Sequence, residues 1–113
     1  LKLNEIHQGE RMRVGKLVKT GMHYLIENDL LDNNDIHLLQ QESYSKNTFD
    51  IQYPMLKKAL PSDGNNILRY WNGPVLIRGN RYFICSEWYE QPHNNDRPFF
   101  EAWYTKKTKS FIK

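Results

Sequence analysis

An intrachain disulfide is excluded by composition, because the 113 residues include only one cysteine, Cys85. A domain of this length can bury enough surface to fold without cross-links. Cys85 lies in an apolar, strand-like run, so we expect a small buried side chain rather than a reactive thiol. A reducing, cytoplasmic setting is the matching expectation.

Long apolar runs are also missing. No stretch of about 18 apolar residues occurs, and the first residues lack the apolar core of a signal peptide. The sequence therefore predicts neither a membrane span nor secretion. The chain begins with leucine rather than methionine, so we expect either a module of a longer protein or a processed start.

The sequence lacks metal-binding and catalytic motifs. Its four histidines are scattered without the spacings that bind zinc, and there is no phosphate-binding glycine loop or nucleophile elbow. Glu87, Glu90, His93 and Asp96 are close in sequence but form no known metal or nuclease pattern. We expect no catalytic residue, no metal and no cofactor, with any catalysis lying in another domain.

The excess of positive charge is small, since 16 Lys and Arg residues face 13 Asp and Glu, a net charge of +3. That value is compatible with nucleic-acid binding and equally with an ordinary globular protein. The distribution is more informative, because acidic residues concentrate between residues 27 and 50 and basic residues gather near both ends. The basic groups are Arg11, Arg13, Lys16 and Lys19, and then Lys106, Lys107, Lys109 and Lys113.

Apolar residues at helical spacing predict a first helix that begins near Glu10. Its stripe consists of Val14, Leu17, Val18, Gly21, Met22, Leu25 and Ile26. Asp32 is expected to cap a second helix by accepting the free amide of Asn34 or Asp35. Ser45 is expected to cap a turn. A short third helix is predicted at 53–60, because Pro54 suits a first helical turn and Pro61 ends the segment.

From Ile67 onward the pattern predicts strands at 67–71, 74–78 and 81–88, joined by turns at Asn72-Gly73 and Gly79-Asn80. The polar stretch EQPHNND at 90–96 is predicted to form a loop. Asp96 and Pro98 then open a final helix, whose aromatic side packs on the core. That side consists of Phe99, Phe100, Trp103 and Tyr104.

The order of these elements predicts an α+β, winged-helix-like domain: three N-terminal helices, a small antiparallel hairpin sheet and a C-terminal aromatic helix. Residues 1–9 are interpreted as an arm or linker, and residues 10–113 as a single domain.

A basic helix followed by a hairpin with arginine at its tip suggests contact with DNA, because a winged helix needs positive charge on both elements. The predicted contact residues are Lys46, Asn47, Lys57, Lys58, Arg78, Asn80 and Arg81. Trp71 is added as a stacking or wedge residue. Neighbouring strand residues face opposite sides, so one ring of Tyr70 and Trp71 is expected to point away from the core.

Three stretches together resemble a recurrent bacterial accessory module: residues 13–31, residues 44–58 with their YSKNTF start, and the hairpin that ends in CSEWYE at 85–90. The module occurs in uncharacterised proteins, some of them similar to multi-domain restriction or phage-defence proteins. The resemblance covers about residues 10–105 and implies a C-terminal domain whose chemistry lies elsewhere in a longer chain. It assigns no site residue.

Two functions follow from the sequence. The first is a non-enzymatic DNA-binding module that uses the basic helix 53–60 and the arginine-flanked wing hairpin at 75–85. The alternative is a protein-interaction or dimerisation module, with the aromatic region 88–104 as its surface.

Overall fold

A computed structural model describes residues 12–111 of the chain. The helices are α1 (Val14–Glu27), α2 (Asn33–Leu39), α3 (Glu42–Phe49) and α4 (Arg97–Phe111). The strands are β1 (Leu56–Lys58), β2 (Val75–Ile77), β3 (Asn80–Ile84), β4 (Glu90–Gln91) and β5 (Asn94–Asn95), and a short 3₁₀ turn spans Pro61–Asp63. The predicted α+β class, with three N-terminal helices, antiparallel strands and a C-terminal helix, is confirmed.

The first two helices form as predicted. The apolar stripe of α1 is buried apart from the half-buried Ile26. The predicted start near Glu10 and the arm at 1–9 lie outside the described residues. At α2, Asp35 N donates to Asp32 Oδ1 (2.8 Å) and Asp32 N donates to Asp35 Oδ2 (3.0 Å). This reciprocal pair satisfies two amides at the helix start. The amide of Asp35 also lowers the pKa of the Asp32 carboxyl.

The third helix is not where the sequence predicts it. It spans Glu42–Phe49, and residues 53–60 contain the strand β1 instead. Ser45 lies inside α3 and is fully buried, so the prediction that it caps a turn is wrong. Backbone pairing explains the change: Cys85 N donates to Met55 O (2.9 Å) and Ala59 N to Arg81 O (2.8 Å). Pairing of 55–59 with β3 outweighs a weak local helix preference.

The main sheet has three strands in the order β1-β3-β2, all antiparallel. The predicted hairpin is present, but its turn is Arg78-Gly79, with Asn80 already paired to Ile77. Arg78 and Gly79 both have positive φ (47° and 86°), as a two-residue hairpin loop of this twist requires.

The predicted strand 67–71 is reduced to one bridge, between Tyr70 and Cys85. Trp71 N donates to Ile84 O (3.0 Å), so residues 70–71 and the strand β2 pair along the same edge of β3. Residues 72–74 therefore bulge out of one interrupted strand rather than joining two strands. The predicted loop 90–96 contains the small hairpin of β4 and β5.

The core lies between α1, α4 and the sheet and is rich in aromatic rings. Phe49 packs edge-on against Trp88 (5.5 Å between centroids) and Trp103 (5.2 Å), and Phe100 stacks on Tyr104 (5.7 Å). The predicted aromatic side of α4 is confirmed for three rings. It is wrong for Phe99, which is 45% exposed.

Candidate functional site

The hairpin and β1 bring four of the sequence-predicted contact residues together. Lys57 pairs with Phe83, which is two residues after Arg81, and Lys58 pairs with Tyr82, which is two residues after Asn80. Lys57 and Arg81 are thus diagonal neighbours on one face of the sheet, and Lys58 and Asn80 on the other. All four side chains are exposed. The cations lie on strands, however, and not on a helix that could enter a major groove.

The remaining cation of the hairpin, Arg78, faces the helices. Its Nε donates to Asp29 Oδ1 (3.2 Å), and its Nη1 lies 3.5 Å from Asn33 Oδ1. Both charges of the Arg78 and Asp29 pair are substantially exposed, so it stabilises the fold by at most about 1 kcal/mol. The pair nevertheless directs the guanidinium towards the α1–α2 loop and partly neutralises it.

Lys46 and Asn47 lie on α3 and are exposed. The neighbouring residue Ser45 points inward, where Met55 N donates to its hydroxyl (2.9 Å). Because successive helix residues are about 100° apart, Lys46 and Asn47 project from other sides of α3. Within residues 12–111, no hydrogen bond or ion pair joins them to the strand cations.

Tyr70 pairs with Cys85 and so shares a face of the sheet with Lys57 and Arg81, which places its neighbour Trp71 on the opposite face. Its ring is half-buried against α1: the ammonium of Lys19 is 5.7 Å from the ring centroid, and a Cβ on Gly15 would be 3.7 Å from Trp71 Cζ2. The structure therefore divides the predicted site into two surfaces. Trp71 belongs to the helix side, and the Lys57–Arg81 diagonal to the far side.

A groove runs beside Trp71 between α1 and the segment that follows β3. We call it the α1 groove; it has a volume of about 770 Å³. One wall is formed by Arg13, Val14, Gly15, Lys16 and Lys19, and the other by Trp71, Ser86, Trp88, Tyr89, Glu90 and Gln91. A smaller hollow of about 250 Å³ continues past Trp71, lined by Lys19, His23, Asn72, Gly73, Val75 and Ile84.

The α1 groove carries unbalanced positive charge. Arg13, Lys16 and Lys19 have no carboxylate partner among residues 12–111. The acidic residue of the opposite wall, Glu90, is paired with the buried Arg97 (Nε to Oε2, 2.9 Å). The local field of the groove is therefore set by the α1 cations.

Two hydrogen bonds to Asp96 hold the groove wall opposite α1 in place. Tyr89 N donates to Asp96 Oδ2 (2.9 Å), and Asp96 N donates to Tyr89 O (2.8 Å). Asp96 is 1% exposed, and its Oδ1 has no hydrogen-bond partner among the described atoms. Desolvation raises the pKa of this carboxyl to about 6.

The ring of Tyr89 is at the mouth of the groove and is 41% exposed. Its hydroxyl lies 3.3 Å from Glu87 Oε1, whose negative charge raises the pKa of the phenol. Glu87 is also paired with Arg69 (3.3 Å). The hydroxyl therefore stays protonated at neutral pH and donates to Glu87.

A second groove, of about 570 Å³, lies between α3 and α4. Its lining combines the exposed ring of Phe99 with Tyr44, Thr48, Ala102, Trp103, Lys106 and Lys107. Lys107 is already engaged, since it pairs with the buried Asp35 and lies 5.9 Å from the Trp103 ring centroid. Lys106 is the other cation in its lining, so this surface carries less free positive charge than the α1 groove.

Within residues 12–111 no three His, Cys, Asp or Glu side chains lie together in a way that could hold a metal ion. Burial raises the pKa of the Cys85 thiol to about 11, so it is a poor nucleophile near neutral pH. Cys85 is fully buried, as predicted. No helix in this part of the chain has the length and apolar character needed to cross a bilayer.

The α1 cations were not among the sequence-predicted contact residues, although a signal for them exists. Arg13, Lys16, Lys19 and His23 recur every three or four residues, on the helix side away from the apolar stripe. That pattern marks one polar face, but it cannot tell which other segment faces it.

Comparison with known proteins gives no match: no family model matches the chain, and no curated protein or solved structure is significantly similar to it.

Proposed function

We propose that this domain is a non-enzymatic DNA-binding module whose contact surface is the α1 groove. The observation that carries the proposal is a row of three cations, Arg13, Lys16 and Lys19, that line the same groove as Trp71 and have no carboxylate partner in the described part of the chain. Cations that track a phosphate backbone beside an aromatic side chain are a common way to bind nucleic acid.

Stability of the helix does not account for these cations. Arg13 is the N-cap residue of α1 and Lys16 lies in its first turn, where the helix dipole disfavours positive charge. No acidic residue is present in that turn to offset them. An anionic ligand at this end of α1 would be stabilised by the cations and by the dipole together.

The test is fluorescence-anisotropy binding to labelled DNA over a range of salt concentrations. Neutralising three phosphates predicts a slope of log K against log[salt] of about −2 for a single strand and about −3 for a duplex. A Lys16→Gln/Lys19→Gln variant is expected to bind about 10-fold more weakly. Its melting temperature should not fall much, because Lys16 does not stabilise the helix.

The matched control is Lys57→Gln/Arg81→Gln, which removes the same charge from the far side of the sheet. We expect it to bind nearly as well as the unmodified protein. If neither DNA form binds at low salt, or if the groove variant binds as tightly as the unmodified protein, the proposal is wrong.

A winged-helix mode is the second candidate for DNA contact, and the exposed diagonal of Lys57 and Arg81 favours it. Here the hairpin of β2 and β3 would act as the wing, with Lys58 and Asn80 beside it. The strand conformation of 56–58 removes the recognition helix first predicted there. This mode therefore predicts binding loss in the Lys57→Gln/Arg81→Gln control and not in the groove variant.

Protein interaction is the alternative function. The exposed ring of Phe99 and the 65% exposed Leu76 favour it, because large apolar side chains at a surface are typical of interfaces. A salt-insensitive dimer in sedimentation, with no DNA binding, would support this function. We also propose that the domain is an accessory module of a longer bacterial protein. A cytoplasmic location is proposed with it, because Cys85 is a free, buried thiol.

A further inference from the structure

We infer that the α1 groove accepts an unpaired nucleobase on the ring of Trp71, so that single-stranded nucleic acid, and not a closed duplex, is its ligand. The inference rests on the proposed function and specifies which form of nucleic acid the groove takes. It comes from the position of Trp71 between two hollows.

The bulge at residues 72–74 determines that position. Trp71 N donates to Ile84 O (3.0 Å) directly before the bulge, and Gly73 N donates to Asn65 O (2.8 Å) in its middle, so backbone hydrogen bonds fix the path of the bulge. Gly73 has φ of 80°, which allows the chain to turn away from the sheet directly after Trp71. The indole therefore stands in a defined place and needs little ordering when a ligand binds.

Trp71 is also the tryptophan whose ring is available. Trp88 and Trp103 are buried in the aromatic cluster around Phe49, and Trp88 Nε1 donates to Cys85 O (2.8 Å). Trp71 instead is half-buried and lines both the α1 groove and the smaller hollow. A planar base could lie against it in either space.

The charges lie where the phosphates of a strand would pass. Arg13 and Lys16 line the groove on one side of the indole, Lys19 lines both spaces, and His23 and Asn72 line the second. A strand that crosses Trp71 would thus keep a donor near its backbone before and after the stacked base. This arrangement of a cationic track with an aromatic platform is typical of single-strand binding.

A duplex does not fit this geometry as well. Its bases are stacked on one another, and placing one against a side chain in a groove requires the base to be unpaired first, at a cost of a few kcal/mol. The Trp71 ring is half-buried between α1 and the sheet and does not project as a wedge. The volume of about 770 Å³ is that of a site for a small molecule or a nucleotide, which typically measures roughly 300–1,000 Å³.

The experiment compares three labelled ligands of equal length, about 12 nucleotides, within the usual range of single-strand sites: an oligothymidine strand, an abasic strand with the same phosphates, and a blunt duplex. We expect the abasic strand and the duplex each to bind about 10-fold more weakly than oligothymidine. Binding of oligothymidine should also quench the tryptophan fluorescence. An RNA strand of the same length tells whether the sugar matters, and base-dependent binding of either strand supports the inference.

Variants of Trp71 separate the base from the phosphates. Trp71→Leu should bind oligothymidine only as well as the abasic strand, whereas Trp71→Phe should keep most of the preference because it retains a ring. Salt-dependent binding that is equal for all three ligands would overturn the inference and leave the proposed function standing. No binding to any of them would overturn both. The comparison of the three ligands on the unmodified protein tests for base-dependent binding even if a variant does not fold.

Discussion

Met55 N donates a 2.9 Å hydrogen bond to Ser45 Oγ, which connects the middle of α3 to the residue that precedes β1. The hydroxyl of Ser45 is also 3.5 Å from Leu39 O, at the end of α2. One buried side chain therefore joins two helices to the first strand of the sheet. The carbonyl of Met55 in turn accepts a hydrogen bond from the amide of Cys85. The Ser45–Met55 contact therefore fixes the start of the β1–β3 pairing.

Ser45→Ala should destabilise the protein by about 1–3 kcal/mol, because it leaves the buried amide of Met55 without a partner. The measurement is urea unfolding followed by circular dichroism. Ser43→Ala on the same helix is the matched control, since Ser43 is exposed, and we expect a change within about 0.5 kcal/mol. Equal stability of the two variants would contradict the role given to Ser45.

Gly21→Ala should also destabilise the fold, although alanine favours a helix. A Cβ at this position would be 3.0 Å from Phe100 Cζ and 3.1 Å from Tyr104 Cε1, and both rings are fully buried. Rings packed in the aromatic cluster have little room to move, so we expect a loss of about 1–3 kcal/mol. Thermal unfolding measures it.

Gly15→Ala is the control for this substitution on the same helix. Its Cβ would meet Trp71 at 3.7 Å, which is an ordinary contact. Helix propensity alone then predicts a gain of up to about 1 kcal/mol. A gain in both variants would show that α1 and α4 can separate at Gly21 without loss.

Asp96 should make stability depend on pH in a definite direction. Its pKa is raised from 3.8 to about 6, first by desolvation and then, more weakly, by the charge of Asp50, while the amide of Tyr89 lowers it. Between these two pH values the native state keeps a proton that the unfolded state has released. The contribution of Asp96 to the free energy of unfolding is therefore largest below pH 4, falls as the pH rises from about 4 to about 6, and is constant above that.

The measurement is urea unfolding between pH 4 and 8 for the unmodified protein and for Asp96→Asn, which cannot titrate. The difference between the two curves isolates this carboxyl. It should change between about pH 4 and pH 6 and be flat at higher pH. A difference that does not vary with pH would contradict the raised pKa.

Cys85 should be inert in the native state. The side chain is fully buried, and desolvation raises the pKa of its thiol to about 11. A thiol reagent such as dithionitrobenzoate is expected to react at pH 8 only after denaturant is added, with the reaction rate following unfolding. Rapid stoichiometric reaction without denaturant would mean that the β3 edge opens readily.

Features set by neighbouring residues were predictable from the sequence. The stripe of α1 follows from apolar spacing within one helix, and the cap of α2 from the reach of Asp32 to Asp35. The hairpin of β2 and β3 also follows from a local pattern, although its turn lies one residue earlier than predicted. Burial of Cys85 follows from the apolar residues around it.

Contacts between distant residues were decided by the tertiary structure. Whether 53–60 is a helix or a strand depends on the free edge of β3, and the direction of Arg78 depends on Asp29, which is 49 residues away. Likewise, strand register puts Trp71 and Arg81 on opposite sides of the sheet, and packing of α1 puts Lys19 beside the indole. The sequence by itself determined which segments are amphipathic, because that property depends on spacing within a few residues. Only the tertiary structure decided which of their polar faces meet to form a groove, because that depends on how the segments pair and pack.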